Sequence, residues 1–173
     1  MKYDYRDLKL YEQIHKQRSY GDTGSVYTDS VKSFIDTTGT TSALDFGSGT
    51  GALRTSLRNK YNIDIDEFDP CYDGKRTIPN IQYDLIITTD VLEHLYEDEI
   101  ENLFEEMLSL QPKFMYHAIS TRKAHIHLPD GSNCHKTVKN NQWWKSRIQE
   151  ITKAETIDEI QFNDHVVVLR ITL

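Results

Sequence analysis

The chain has 173 residues, 20 Lys plus Arg against 27 Asp plus Glu, a formal net charge of −7 and 38% apolar residues. That length suits one domain, and the acidic balance excludes a uniformly basic nucleic-acid binder. No long apolar run excludes a membrane-spanning helix, no apolar signal follows Met1, and two cysteines without a CxxC spacing exclude both a disulfide scaffold and a cysteine-based zinc site; a cytoplasmic protein is expected.

Residues 3–17 place Leu8, Leu10, Tyr11 and Ile14 at mixed 3–4 spacing, which predicts an amphipathic helix. Residues 18–28 read as a loop. A second short helix starts near Asp29, with Val31, Phe34 and Ile35 on one face, and Thr37–Ser42 is a turn cluster. Ala43-Leu44-Asp45-Phe46 reads as a strand running into Gly47-Ser48-Gly49-Thr50-Gly51, and 52–60 as a helix. Ile63, Ile65 and Phe68 suggest a second strand ending at Asp69-Pro70. An apolar strand lies within Tyr83–Thr89. The clearest helix is 97–110, where Ile100, Leu103, Phe104, Met107 and Leu108 share a face. A strand from Phe114 to about Ile119 precedes an irregular segment, 120–139. Asn141 is a candidate cap for a helix carrying Trp144, Ile148 and Ile151. Two last strands, near 155–162 and 165–172, meet at Asn163-Asp164 as an antiparallel hairpin.

This alternation predicts an α/β sheet, mostly parallel with an antiparallel C-terminal hairpin. Residues 70–82 are too few for two helices and a strand, so a third strand is expected to be reduced or missing.

Gly47, Gly49 and Gly51 sit between a strand and a helix, where a backbone without Cβ atoms turns sharply and lies against a ligand. Asp69 follows Gly47 by 22 residues, the distance at which an acid after the next strand accepts ribose hydroxyls; Asp66 and Glu67 are alternatives. The GxGxG spacing differs from the dinucleotide GxGxxG. With Asp45 two residues before Gly47, it suits a ligand with an ammonium group and no phosphates. No Gly-Lys-Ser/Thr follows, so a P-loop is excluded.

Three blocks together resemble the class I S-adenosylmethionine-dependent methyltransferases: 44–51 (LDFGSGTG), 68–70 (FDP) and 83–95 (YDLIITTDVLEHL). Asp-Val-Leu-Glu-His with Leu128–Asn133 and Trp143-Trp144 is most similar to short phage-type members. The resemblance implies a Rossmann-like three-layer sandwich forming one methyltransferase domain, 1–173, with N-terminal helices or a lid at 1–40 and a core at 41–173. It implies a cofactor site of Asp45, Phe46, Gly47, Ser48, Gly49, Gly51, Asp69 and Asp90, and a lid that includes Tyr20-Gly21. No Asn/Asp-Pro-Pro-Tyr/Phe signature follows the Asp84 strand and no Pro-Cys pair occurs, which sets this chain apart from exocyclic-amine and cytosine C5 DNA methylation.

Asp90, Glu93 and His94 share one face of a helical turn, and oxygen and imidazole ligands suit Mg²⁺ or Mn²⁺. The resemblance to methyltransferases of small-RNA 2′-hydroxyls and of catechol-type quinone precursors adds His135 as a distant fourth ligand. Glu93, His94 and His135 are the candidate catalytic bases, with structural hydrogen bonding as the alternative role of Glu93 and His94.

Residues 84–106 hold nine acids and no Lys or Arg, whereas 122–153 hold seven bases and two acids. The basic window reads either as a patch for phosphates or an anionic substrate, or as ordinary solvated surface. Of Trp143 and Trp144, one is expected in the core. The expected function is methyl transfer to an oxygen or nitrogen of a small-molecule or nucleic-acid acceptor. The alternatives are a non-catalytic cofactor-binding or partner protein, or an enzyme that cleaves S-adenosylmethionine.

Overall fold

The computed structural model describes residues 5–17 and 21–173. The expected helix start at residue 3 and Tyr20 of the expected lid lie outside the described residues. The chain runs α1 (Leu8–Gln17), α2 (Thr28–Thr38), β1 (Ala43–Phe46), α3 (Ala52–Tyr61), β2 (Asp66–Phe68), β3 (Leu85–Thr89), α4 (Glu97–Leu108), β4 (Phe114–Ser120), α5 (Asn141–Thr152), β5 (Thr156–Asn163) and β6 (Val166–Thr172). Six strands form one sheet in the order β2-β1-β3-β4-β6-β5. β1 pairs parallel with β2 and β3, β3 pairs parallel with β4, and β6 runs antiparallel to both β4 and β5.

A strand buried on both faces needs mostly apolar residues, and β1 and β3 are buried throughout, with Asp45, Thr88 and Thr89 as their polar members. Alternate residues then serve opposite layers. Ile86 packs with Leu103, Phe104, Trp144 and Ile148 of α4 and α5. Leu85 and Ile87 pack with Val31, Phe34, Leu53 and Leu57 of α2 and α3. The result is the expected three-layer sandwich.

Residues 69–84 contain no strand or helix, so β2 is the sheet edge and the third strand is missing. The segment instead turns back on itself: Asp69 N donates to Lys75 O at 2.9 Å and Lys75 N to Tyr72 O at 3.2 Å. β3 starts at Leu85 rather than Tyr83. Asp84 is an anchor there, its side chain accepting from Thr41 and Lys113.

Two other local expectations shift for identifiable reasons, and the expected core tryptophan is Trp144. The helix near 141 is capped by Asn140, whose side chain accepts from Trp143 N at 2.9 Å. Trp144 is fully buried, while Lys139 lies 5.1 Å over the Trp143 ring. Within the expected loop 18–28, Thr23–Tyr27 form a short 3-10 helix. Asp90 holds it, accepting from Thr23 Oγ1 at 2.6 Å and Tyr27 Oη at 2.9 Å. Among the described residues, no helix is long and apolar enough to cross a membrane.

Candidate functional site

A cavity of about 490 Å³ opens beside the carboxyl ends of β1–β4, where parallel α/β sheets form sites. Its floor is the turn after β1. Gly47 N and Ser48 N donate to Phe68 O at 2.7 and 3.1 Å, which fastens the turn to β2. Gly47 and Gly49 have φ of +87° and +52°. A Cβ on Gly47 would stand 2.6 Å from Val91 Cγ2, and one on Gly49 would stand 2.3 Å from Gly21 O. Only glycine fits either position. The buried Ser48 Oγ lines the cavity without a hydrogen-bond partner among the described residues.

Asp69 reaches the same floor. Its carboxylate accepts from Gly49 N at 2.7 Å and Cys71 N at 2.8 Å. Each oxygen has lone-pair capacity left for a hydroxyl. Asp45 and Gly51 differ from the other expected cofactor residues, because neither lines the cavity. Asp45 lies beneath the turn, and burial, then Glu67 and Asp69, push its carboxyl up to about 8. A Cβ on Gly51 would strike Glu67 Oε1 and Lys75 Nζ. Lys75 bonds Glu67 Oε1 at 2.9 Å and Gly49 O at 3.0 Å, so the shortened segment after β2 is latched to the glycine turn. Sequence reading missed this lysine, which carries no motif of its own.

The opposite wall carries the carboxylate–histidine cluster, divided differently from the expectation. Asp90 has φ of +54° and lines the cavity, but both its oxygens accept from Thr23 and Tyr27. Glu93 is fully buried and does not line the cavity. Its Oε1 accepts from Ser120 N at 2.8 Å, and its backbone oxygen accepts from Lys136 N and Thr137 N. Burial first, then Asp90, raises its pKa well above the carboxylate range. Glu93 thus ties β4 to the irregular segment.

His94 and His135 do face the cavity, their rings edge to face with centroids 5.0 Å apart. His94 Nδ1 lies 3.0 Å from Cys134 O, and His135 Nδ1 lies 2.6 Å from Arg122 O. A carbonyl only accepts, so each Nδ1 carries the proton and each neutral ring presents its Nε2 lone pair. Burial holds His94 down to about 3. His135 is lowered by burial and by Arg122, against upward pulls from its backbone bond and Asp90. The four expected metal ligands do not assemble: Asp90 is held by hydroxyl donors and Glu93 is sealed off. Among the described residues, no three His, Cys, Asp or Glu side chains gather as a metal site.

Helix α1 closes the cavity from above. Tyr11 Oη donates to Cys134 O at 2.6 Å and lies 3.2 Å from His94 Nδ1. On the other side, Glu12 pairs with Arg76 at 2.9 Å and His15 packs on Tyr72 at 4.6 Å. Tyr11 read in sequence only as part of an apolar face; its hydroxyl role needed the partner.

The basic window is largely neutralised. Lys136 pairs with Asp7, Lys139 with Glu97, Lys145 with Glu159, and Arg147 with Glu101 and Glu150. The expected patch is therefore reduced to a few cations, of which Arg122 lines the cavity.

No family model and no curated protein matches the chain. Solved structures do. DhpI in complex with SAH aligns over 95% of each chain at 14% identity and a TM-score of 0.60. Human N-acetylserotonin methyltransferase in complex with SAM aligns over 95% of this chain and 54% of that one, at 13% identity and 0.62. Burkholderia thailandensis 1,6-didemethyltoxoflavin-N1-methyltransferase, with bound 1,6-didemethyltoxoflavin and S-adenosylhomocysteine, aligns over 95% and 87%, at 11% and 0.58. The shared property is the fold, a methyltransferase-type Rossmann-like sandwich.

Proposed function

We propose that this chain transfers a methyl group from S-adenosylmethionine to an oxygen or nitrogen nucleophile. The observation that carries this reading is one cavity lined by the glycine turn, Asp69, His94 and His135 together. The cofactor end fits the group: an unpartnered buried hydroxyl on Ser48, glycines whose Cβ positions are blocked, and an acid with spare acceptor capacity. Phe46, Gly47, Ser48 and Gly49 would hold the methionine part and Asp69 the ribose.

When bound, the cofactor supplies an electrophilic methyl: the S–CH₃ bond breaks, an O–CH₃ or N–CH₃ bond forms, and the sulfur keeps the electron pair as a neutral thioether. The protein's part is to align the nucleophile and take its proton. His135 Nε2 is the proposed base, because its ring is less deeply buried than that of His94 and its Nδ1 proton is fixed on Arg122 O. His94, held neutral, orients the acceptor. No metal enters this reading, since Asp90 and Glu93 serve protein donors. Residues 5–17 and 21–28 act as a cover that excludes water rather than as a separate domain.

Calorimetry with S-adenosylhomocysteine tests the reading. The wild type should bind, and Asp69→Ala should weaken binding about tenfold or more, as loss of charged-acceptor hydrogen bonds costs about 1.5–3 kcal/mol. His135→Gln should retain that binding while losing turnover. Absence of binding by the wild type would overturn the proposal.

A further inference from the structure

We infer that Arg122 recognises an anionic group, a carboxylate or a phosphoryl group, on a small acceptor whose nucleophile lies beside His135. This rests on the methyl-transfer reading and names its acceptor class.

The charges around the cavity are unevenly committed. Acids lining it are committed to donors: Asp7 pairs with Lys136, Asp69 with two backbone amides, Asp90 with two hydroxyls, and Glu99 with Arg6 and Tyr96 N. Arg122, His125, His135, Asn163 and His165 also line the cavity, and the acid whose charge reaches His135 is Asp90, already held by its two hydroxyl donors. Arg122 forms no ion pair among the described residues, and its side chain is exposed. A guanidinium with a planar fork of donors matches carboxylate and phosphoryl oxygens in a way an ammonium does not.

Position adds to charge. The backbone oxygen of Arg122 accepts from His135 Nδ1 at 2.6 Å, so the two residues adjoin, and both line the cavity. Burial lowers the His135 pKa, and the Arg122 charge adds a smaller lowering against the upward pull of Asp90. An anion on the guanidinium offsets that effect and makes Nε2 a stronger base when the acceptor is seated. Binding and deprotonation are thereby coupled.

The same pattern argues for a small acceptor over a nucleic acid. A phosphate backbone needs a row of uncommitted cations, whereas Lys136, Lys139, Lys145 and Arg147 are paired with acids. An anionic headgroup entering a cavity of about 490 Å³ needs one.

The probes are phenylphosphonate and benzoate, with neutral benzamide as the control. They are titrated into ligand-free and S-adenosylhomocysteine-loaded protein, followed by the NMR signal of the His135 ring, assigned with His135→Gln. Both anions should saturate and should raise the His135 pKa. Benzamide should do neither. Arg122→Gln should weaken the anions about tenfold, the loss expected for a charge-assisted contact, and Arg122→Lys should weaken them less. Neither exposed substitution should alter S-adenosylhomocysteine affinity. Equal anion affinity in wild type and Arg122→Gln, or benzamide binding as well as benzoate, would overturn the inference. An RNA or DNA oligonucleotide outcompeting both anions with a steep salt dependence would overturn the small-acceptor class. Anion binding at Arg122 without any S-adenosylhomocysteine binding would uphold the anion site and sink the methyl-transfer reading alone.

Discussion

Gly49 and Gly21 are pressed together: a Cβ on Gly49 would sit 2.3 Å from the Gly21 carbonyl oxygen, which also accepts from Thr50 N at 3.0 Å. The segment leading into the 3-10 helix therefore rests on the floor of the cavity, and the glycine turn has two jobs. It leaves room for a ligand on one side and for the chain on the other.

Gly49→Ala should accordingly damage fold and binding together. The left-handed φ of +52° costs a residue with a Cβ about 1–2 kcal/mol, and displacement of Gly21 adds to it. Gly131→Ala shares a positive φ but has open space around it, so it isolates the backbone cost. Thermal denaturation and calorimetry with S-adenosylhomocysteine should rank Gly49→Ala well below Gly131→Ala in both readouts. Equal losses would remove the packing argument.

Tyr11→Phe tests the α1 cover. It removes the 2.6 Å bond to Cys134 O, worth about 0.5–1.5 kcal/mol, while keeping the ring against His94. Amide hydrogen exchange over residues 8–17 should quicken severalfold with global stability little changed. Unchanged exchange would mean that the hydroxyl does not hold the helix down.

The pH dependence of stability has opposing parts. Asp45, pushed up to about 8 by burial and by Glu67 and Asp69, keeps a proton that the unfolded chain releases above pH ~4. Stability from this group falls as pH rises from about 4 to 8, and Glu93 acts in the same direction. His94 and His117, lowered by burial to about 3, cannot take protons that the unfolded chain binds below about 6.5. Their contribution falls as pH drops from about 6.5 to 3. The effects oppose each other between about pH 4 and 6.5, and only the carboxyls act above it. Melting temperature should be highest in the shared window and decline toward pH 8. Asp45→Asn, neutral throughout, should flatten that decline; an identical decline in the variant would refute the assignment.

Glu93 separates structure from chemistry. Glu93→Gln keeps an oxygen for Ser120 N and the volume of the side chain, so stability should change by less than about 1 kcal/mol. Glu93→Ala strands a buried N–H and opens a cavity, costing about 2–4 kcal/mol. Chemical denaturation gives both values. Turnover should survive Glu93→Gln; its loss in a folded variant would restore a chemical role to this side chain.

The backbone elements were legible in the amino-acid sequence because their signals are local. β1 lies at Ala43–Phe46, as its four apolar-flanked residues before the glycines require, and the i, i+3, i+4 spacing of Ile100, Leu103 and Phe104 marks α4. The missing third strand followed from chain length alone, since residues 70–82 cannot span a crossover. The glycine turn was visible for the same reason, being a demand on backbone dihedral angles within five residues.

Side-chain duties were decided elsewhere. Sequence spacing puts Asp90, Glu93 and His94 on one helical turn, but only Leu92–His94 form a turn and Asp90 stands outside it at φ +54°. Asp90 holds the 3-10 helix of Thr23–Tyr27, Glu93 is sealed under β4 and His94 faces the cavity. What separates them is burial and the identity of partners distant in sequence: Tyr27, Ser120 and Cys134. The basic window likewise lost most of its free charge to acids on α4 and β5 that only folding brings near. Local spacing determines which residues share a face, whereas desolvation and long-range pairing determine which of them remains available to a ligand, and those are properties of the assembled tertiary structure.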